Sequence, residues 1–311
     1  MYIFDNEITL ESREKLDEYL DGYEYGTSGL SFSSLYMWRN INKFSWDIVG
    51  DYMCITGVGY LNDNGGESSF MFPPLTKTGT YEKESLRETI YRCKEIYEKS
   101  GEPFSLRLVP ENVMEEIKKA CPEFVFEDDR DNYDYVYCTQ DLVDFKGRAY
   151  HSKKNHLNYF KKTYDYEYQE MTSDMADEAM EFIEEFNARK DVPENEMKTL
   201  RMEEEAMRDV FKNLEKAGCY KAGVIRIEGR IEALAVGGRL GKDTVTEHVE
   251  KANTAYRGLY QAMLNEFCRN IAGSAKYLNR EEDMGIANLR KAKLSYKPVK
   301  LVKKYIGKGE V

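Results

Sequence analysis

The residues best suited to chemistry crowd into one stretch, from Lys221 to Ile271. Three strand-like runs, Lys221–Ile227, Ile231–Leu240 and Thr244–Lys251, follow one another there. Glu228-Gly229-Arg230 and Gly241-Lys242-Asp243 join them, each with the glycine that a hairpin turn needs. The third run carries Glu247, His248 and Glu250, three side chains able to take a proton. Strand alternation predicts that Val245, Glu247 and Val249 share one face, and Thr246, His248 and Glu250 the other. A carboxylate between two valines loses hydration and gains proton affinity, while an imidazole needs no shift to act near neutral pH. Each of the three could remove a proton from an attacking amine or hydroxyl. The residues alone do not rank them.

The same run leads through Asn253-Thr254-Ala255-Tyr256-Arg257-Gly258 into a helix. Free N–H groups and the positive end of the helix dipole make such a start a natural phosphate site. Lys251, Arg257, Gly258, Tyr260 and Gln261 are therefore candidate donor contacts. A meander that feeds a helix through an Arg-Gly start is how some transferases hold a phosphate-bearing donor. Positive charge also gathers between Lys146 and Lys162, where Tyr150, Leu157, Tyr159 and Phe160 interrupt the basic residues. As a helix this stretch turns Leu157 and Phe160 to the core and fans its lysines outward. Lys153, Lys154 and His156 could then grip the phosphates of a tRNA or a nucleotide. A solvated face balanced by nearby acids is the plainer alternative. Arg280, Arg290 and Lys293 lie in a dense run of mixed charge. They either pair with neighbouring acids or reach a donor phosphate or substrate carboxylate, which a guanidinium suits well.

Two similar series of elements must hold these groups. Helices are expected near Thr9–Tyr19 and Phe32–Arg39, and strands near Phe44–Ile48, Tyr52–Val58 and Ser69–Phe72. A helix Glu82–Lys99, a strand Phe104–Leu108, a short helix Glu111–Ala120 and strands Phe124–Glu127 and Tyr133–Tyr137 follow. The second series has helices Asp174–Ala188 and Met197–Lys216, the meander, and a helix Tyr256–Ile271. It ends with a strand Ala275–Leu278, a short helix Ile286–Lys293 and a strand Val299–Tyr305. The repeated order predicts a duplicated unit, residues 1–138 and 139–311, joined by a polar linker running into the basic helix over Asp141–Lys162. The first half enters its helix through Thr76-Lys77-Thr78-Gly79-Thr80 without an Arg-Gly start, so the site is expected in the second half.

Composition narrows the partners. The 311 residues carry a net charge of −11, which argues against bulk attraction to nucleic acid, DNA included, or anionic lipid, while local basic patches could still bind anions. No apolar run approaches the ~20 residues of a membrane span, so integral membrane association is not expected. The first residues lack the pattern of a secretion signal. Six scattered cysteines without a framework spacing read as reduced thiols of a cytoplasmic protein. Three histidines, two of them in the basic stretch, suggest no metal site. The oligomeric state leaves no mark in the sequence.

Several segments carry a family resemblance. In the first half they are Phe32-Ser33-Ser34-Leu35-Tyr36-Met37-Trp38-Arg39 and Phe72-Pro73-Pro74. In the second they are Tyr150-His151-Ser152-Lys153-Lys154-Asn155-His156, His248-Val249-Glu250-Lys251-Ala252-Asn253, and Tyr277–Gly285 continuing through Leu289–Tyr296. Together these segments, which span nearly the whole chain, resemble the bacterial proteins grouped with the C-terminal domain of phosphatidylglycerol lysyltransferase. The resemblance implies α/β (α+β) architecture: two tandem GNAT-like domains, of the acyl-CoA N-acyltransferase kind, each a mostly antiparallel sheet flanked by helices. It implies an acyltransferase or aminoacyltransferase with acyl-CoA or aminoacyl-tRNA as co-substrate and no tightly bound cofactor. A base from Glu247, His248 or Glu250 would stand beside the splayed sheet. The donor pyrophosphate would rest on Arg257-Gly258-Leu259-Tyr260-Gln261-Ala262, where Tyr260 stands in place of a second glycine. A fold-retaining protein that binds RNA or another anion without catalysis is the alternative.

Overall fold

Apolar residues at strand and helix spacing produce two seven-stranded sheets flanked by helices. The computed structural model describes residues 3–60, 67–189 and 194–309. The chain begins with β1 (Asn6–Glu7), α1 (Arg13–Leu20), α2 (Phe32–Trp38), β2 (Ser45–Val49), β3 (Tyr52–Tyr60) and β4 (Glu67–Met71). Next come α3 (Lys83–Ser100), β5 (Leu106–Pro110), α4 (Glu111–Ala120), β6 (Phe124–Asp128), β7 (Asp134–Cys138) and α5 (Thr139–Asp144). The basic helix α6 (His151–Thr163) leads to β8 (Tyr166–Glu170), α7 (Ala176–Ala188), α8 (Glu194–Lys212) and α9 (Leu214–Ala217). The meander is β9 (Tyr220–Ile227), β10 (Arg230–Leu240) and β11 (Thr244–Ala252). Last come α10 (Leu259–Asn270), β12 (Tyr277–Asn279), α11 (Ala287–Ser295), β13 (Lys300–Val302) and β14 (Lys304–Gly309).

Local chemistry sets these boundaries. In α3, Leu86, Ile90, Cys93 and Tyr97 recur at helical spacing and are buried, each apolar burial contributing about 1.5–3 kcal/mol. The Glu82 carboxylate accepts the Ser85 N–H at the start of that helix, and Gly101, at φ 72°, ends it.

The first sheet runs β1-β2-β3-β4-β5-β14-β6, and the second β13-β7-β12-β11-β10-β9-β8. β4 pairs with β5 in parallel, as β11 does with β12; the other registered pairs are antiparallel. The mixed α/β class and the repeated sheet-and-helix unit are as expected. One unit comprises the chain up to Asp134, Glu282–Ile286 and the residues from Leu301 on; the other comprises Tyr135–Glu281 and Ala287–Lys300. A cut after 138 therefore departs from this division: β7 belongs to the second sheet, Glu282–Ile286 belong to the first unit, and β14 lies in the first sheet, between β5 and β6. The single strand expected over Val299–Tyr305 is two strands, one in each sheet.

Inside the first unit the Lys304 ammonium stands 2.6 Å from Asp134 Oδ1, with side chains 1% and 0% exposed. The same carboxylate accepts the Ser28 N–H at 2.7 Å and the Ser28 hydroxyl at 2.9 Å. Glu282 approaches Lys304 to 3.6 Å. A buried lysine keeps its charge only beside such a partner.

Candidate active site

β11 departs from the alternation expected of it. Val249 pairs with Val236 of β10, but the next pair is Glu247 with Gly237, so His248 is passed over. One extra residue in a strand is a β-bulge, and it reverses which face the residues beyond it present. Glu247 and Glu250 were expected on opposite faces; in the structure they converge. Arg280 Nε donates to Glu247 Oε2, and its Nη2 donates to Glu250 Oε2. Gly237 permits the bulge, since a Cβ there would fall 2.2 Å from the Thr246 carbonyl oxygen and 2.7 Å from the Phe267 ring.

Arg280 follows β12, whose parallel pairing with β11 sets Asn279 beside Thr246. The Arg280 N–H bonds to the Tyr135 carbonyl at 2.9 Å, and the Lys293 ammonium donates to the Arg280 carbonyl. Both carboxylates and the guanidinium are largely buried. Glu247 Oε1 and Glu250 Oε1 are nevertheless left without a hydrogen-bond partner. Buried polar atoms are nearly always satisfied, so two unpaired oxygens on neighbouring carboxylates are an exception within this cluster.

The electrostatics follow from burial and from one shared cation. Burial pushes the Glu250 carboxyl up to about 8; Arg280 opposes the rise and Glu247 adds to it. Burial alone would weaken the charge on Arg280, but Glu247 and Glu250 more than restore it. Tyr296 lies alongside, pushed up to about 12 by burial, with its hydroxyl accepting from Gln261 Nε2 at 3.0 Å. Tyr137 donates to the Lys293 carbonyl at 2.8 Å. Lys153 Nζ sits 3.9 Å from the centre of the Tyr296 ring and Arg280 Cζ 5.3 Å, a stacking that favours cations. Burial lowers the Lys153 proton affinity, the Arg280 charge lowers it further, and Glu250 raises it. Burial raises Tyr260, which also feels Glu250 and Arg280.

Seven expected residues thus meet here: Lys153, Glu247, Glu250, Tyr260, Gln261, Arg280 and Lys293. The other expected residues have different settings. His248 turns away and sets Nδ1 2.8 Å from Glu281 Oε1, with its ring against Tyr220. Lys251 bonds Glu203 at 2.8 Å and lies over the Phe186 ring. Since Lys251 adjoins Glu250 in the strand, that pair occupies the opposite face of the sheet. Lys154 is exposed on α6, while His156 on α6 and Arg290 on α11 are half-buried.

The Arg-Gly helix start also has a different use from the one expected. Arg257 is exposed, its guanidinium 4.6 Å from the Tyr159 ring centre. Gly258 has φ 92°, and a Cβ there would meet the His156 carbonyl oxygen at 2.3 Å. The glycine lets α6 pack onto α10, and the group facing it is an acceptor oxygen, which repels an anion. Gly258→Ala is expected to lower stability by at least about 1 kcal/mol through strain at positive φ and this clash, measured as the denaturation midpoint. Tyr137 and Tyr296 escaped notice as site residues; their signal was only that a buried tyrosine hydroxyl needs a partner.

Residues 21–308 match the family described as phosphatidylglycerol lysyltransferase, C-terminal. The chain belongs to that family. A conserved protein of unknown function from Bacteroides thetaiotaomicron is 30% identical, with a TM-score of 0.85 over 97% of this chain and 98% of that one. L-PGS from Bacillus licheniformis shares the fold at 13% identity and a TM-score of 0.64, over 97% of this chain and 92% of that one. An uncharacterised protein of Mycoplasmoides gallisepticum is 26% identical over 174 residues, 56% of this chain and 55% of that protein. The chain thus spans about half the length of the curated relative it matches. Among the described residues no helix is long and apolar enough to cross a membrane, and no group of three or more His, Cys, Asp or Glu could hold a metal ion.

Proposed function

We propose that the chain transfers an acyl or aminoacyl group from a phosphate-containing donor to an amine or hydroxyl, with Glu250 as the proton acceptor. One observation carries this reading: two buried carboxylates share one guanidinium, and each keeps an open oxygen. Arg280 fixes both carboxylates in place. With its proton affinity raised to about 8, Glu250 is matched to giving and taking a proton near neutral pH. As the acceptor attacks, its proton passes to Glu250 and a new C–N or C–O bond forms at the carbonyl. The carbonyl's bond to the donor oxygen or sulfur then breaks, and the proton follows the leaving group. Lys153, which lies over the Tyr296 ring and feels the Glu250 charge, is the cation that would hold the carbonyl oxygen or a donor phosphate. An activated ester needs little beyond alignment, which supplies on the order of 7–11 kcal/mol.

Of the two donors, aminoacyl-tRNA fits better than acyl-CoA. Open carboxylate oxygens suit an ammonium, and the carbonyl facing Gly258 does not suit a pyrophosphate. The lysyltransferase named in the family description supports the same choice and offers phosphatidylglycerol as an acceptor to try. Aminoacyl-tRNA as donor goes with a cytoplasmic setting and no resident cofactor. The test is transfer from mixed charged tRNA to phosphatidylglycerol vesicles and to small amines. Glu250→Gln is expected to slow transfer about 10²–10⁴-fold with tRNA binding unchanged. A second reading, RNA binding without catalysis, draws on the exposed Lys154 and Lys162 of α6. Binding that Lys154→Ala/Lys162→Ala abolishes, with no turnover of charged tRNA or acyl-CoA by the wild type, would leave that reading standing alone.

A further inference from the structure

The bulge that brings Glu247 and Glu250 together leaves one residue of β11 outside the ladder, His248. Its side chain is 0% exposed, and Nδ1 lies 2.8 Å from Glu281 Oε1. A carboxylate oxygen accepts there, so the imidazole carries its hydrogen on Nδ1. Glu281 is the residue after Arg280, so the same two segments are joined twice. Arg280 donates to Glu247 and Glu250 on one face of the sheet, and His248 donates to Glu281 on the other. The strand register gives the faces. Tyr220 pairs with Gly238 and Val249 with Val236, two residues along β10, so Tyr220 and Val249 share a face. The His248 ring lies against Tyr220, with centroids 6.3 Å apart, behind Glu247 and Glu250.

Glu281 is itself firmly placed. Its N–H bonds Asn279 Oδ1 at 2.8 Å, its carbonyl accepts the Tyr135 N–H at 3.1 Å, and its φ is 55°. A glutamate in the left-handed region persists only where its surroundings fix it. The bulge needs such an anchor. Gly237 makes room for it, but room alone does not hold a strand in register. A slip by one residue would restore alternation and send Glu247 and Glu250 to opposite faces.

We propose that His248 and Glu281 form a clasp on the reverse face of the sheet, and that His248 is a positioning residue that keeps Glu247 beside Glu250. The consequence for transfer rests on the reading of Glu250 as proton acceptor; the placement of the two carboxylates does not. Glu250 is faced by Glu247 on its own strand, Arg280 after β12, Lys153 on α6, Tyr260 on α10, and Lys293 and Tyr296 at the end of α11. His248 is faced by Glu281 and Tyr220. Of these groups Glu247 is the like charge that raises the proton affinity of Glu250, so the closeness of the pair is readable as a coupled titration.

The titration of the Glu250 carboxyl is to be followed by NMR in glutamate-labelled full chain, as the resonance that Glu250→Gln removes. Glu247→Gln deletes the like charge and is expected to move that titration to lower pH. In a His248→Leu background, where the side chain fills the space but cannot bond Glu281, Glu247→Gln should leave the titration nearly in place, because the carboxylates have parted. His248→Asn puts an amide nitrogen where Nδ1 stood and should restore the displacement. Glu281→Ala breaks the clasp from its other side and should behave as His248→Leu does; the melting temperature of each variant checks its fold. A displacement of equal size with and without the clasp overturns the proposal, as does one that His248→Asn fails to restore. In the transfer assay His248→Leu is expected to lower kcat about 10²-fold with the donor KM unchanged. A wild type inert in that assay would count against the transfer reading alone, since the titration needs neither donor nor turnover.

Discussion

Arg280→Ala is expected to cost the protein about 3–5 kcal/mol, the usual result of removing one partner from a buried charge cluster. Glu247 and Glu250 would then face each other without the guanidinium they share, each already short of one hydrogen bond. Glu247→Gln added to Arg280→Ala should return part of the loss, because one of the two like charges is gone. Equilibrium denaturation of the four proteins in this cycle measures the coupling. The pH dependence follows from Glu250. Its proton affinity in the folded state is raised to about 8, above the ordinary carboxylate value. Between those values the folded chain binds the extra proton, so this group's contribution to stability is present at low pH and lost as pH rises through about 8. Glu250→Gln should remove that slope. Arg280→Ala, which removes a charge that opposes protonation, should extend the slope to higher pH. If thermal melts at about pH 5 and about pH 9 fall equally for wild type and Glu250→Gln, the assignment of the slope to Glu250 fails.

Lys304→Ala is the second large effect, again about 3–5 kcal/mol. It leaves Asp134 fully buried, with the Ser28 N–H and hydroxyl as hydrogen-bond donors but without its nearest positive charge. A carboxylate so placed keeps hydrogen bonds and loses the cation that offsets its desolvation. Lys304→Met/Asp134→Leu, which fills the same space with apolar groups, should recover most of the loss. Denaturant midpoints decide the matter: an unfolding curve for Lys304→Ala that overlays the wild type would show the pair to be dispensable.

Much of the second unit was legible, and the reasons are local. The turns Glu228-Gly229-Arg230 and Gly241-Lys242-Asp243 announce the meander, and β9, β10 and β11 fall within a few residues of the expected runs. Leu157 and Phe160 turn inward on α6 as their spacing requires. The convergence of Glu247 and Glu250 was not legible. It depends on the bulge at His248, which answers to the contact of Gly237 with the Thr246 backbone on a neighbouring strand. Arg257-Gly258 misled for a related reason. A glycine before a helix can admit either a phosphate or a second backbone, and only tertiary packing shows the His156 carbonyl already there. β8 went unseen because Tyr166–Glu170 is a half-exposed edge strand without an apolar run.

Threading β14 between β5 and β6 has a consequence for biogenesis. A ribosome releases residues 1–134 long before residues 304–309, so the earlier-made sheet waits with a gap beside β5 and β6 until translation reaches its last strand. Tyr135–Glu281 has most of its own unit in one unbroken run and can mature first. A released chain ending at Val302, which keeps every strand of the second sheet and lacks β14, should therefore be cut by protease in the N-terminal portion while the later portion resists.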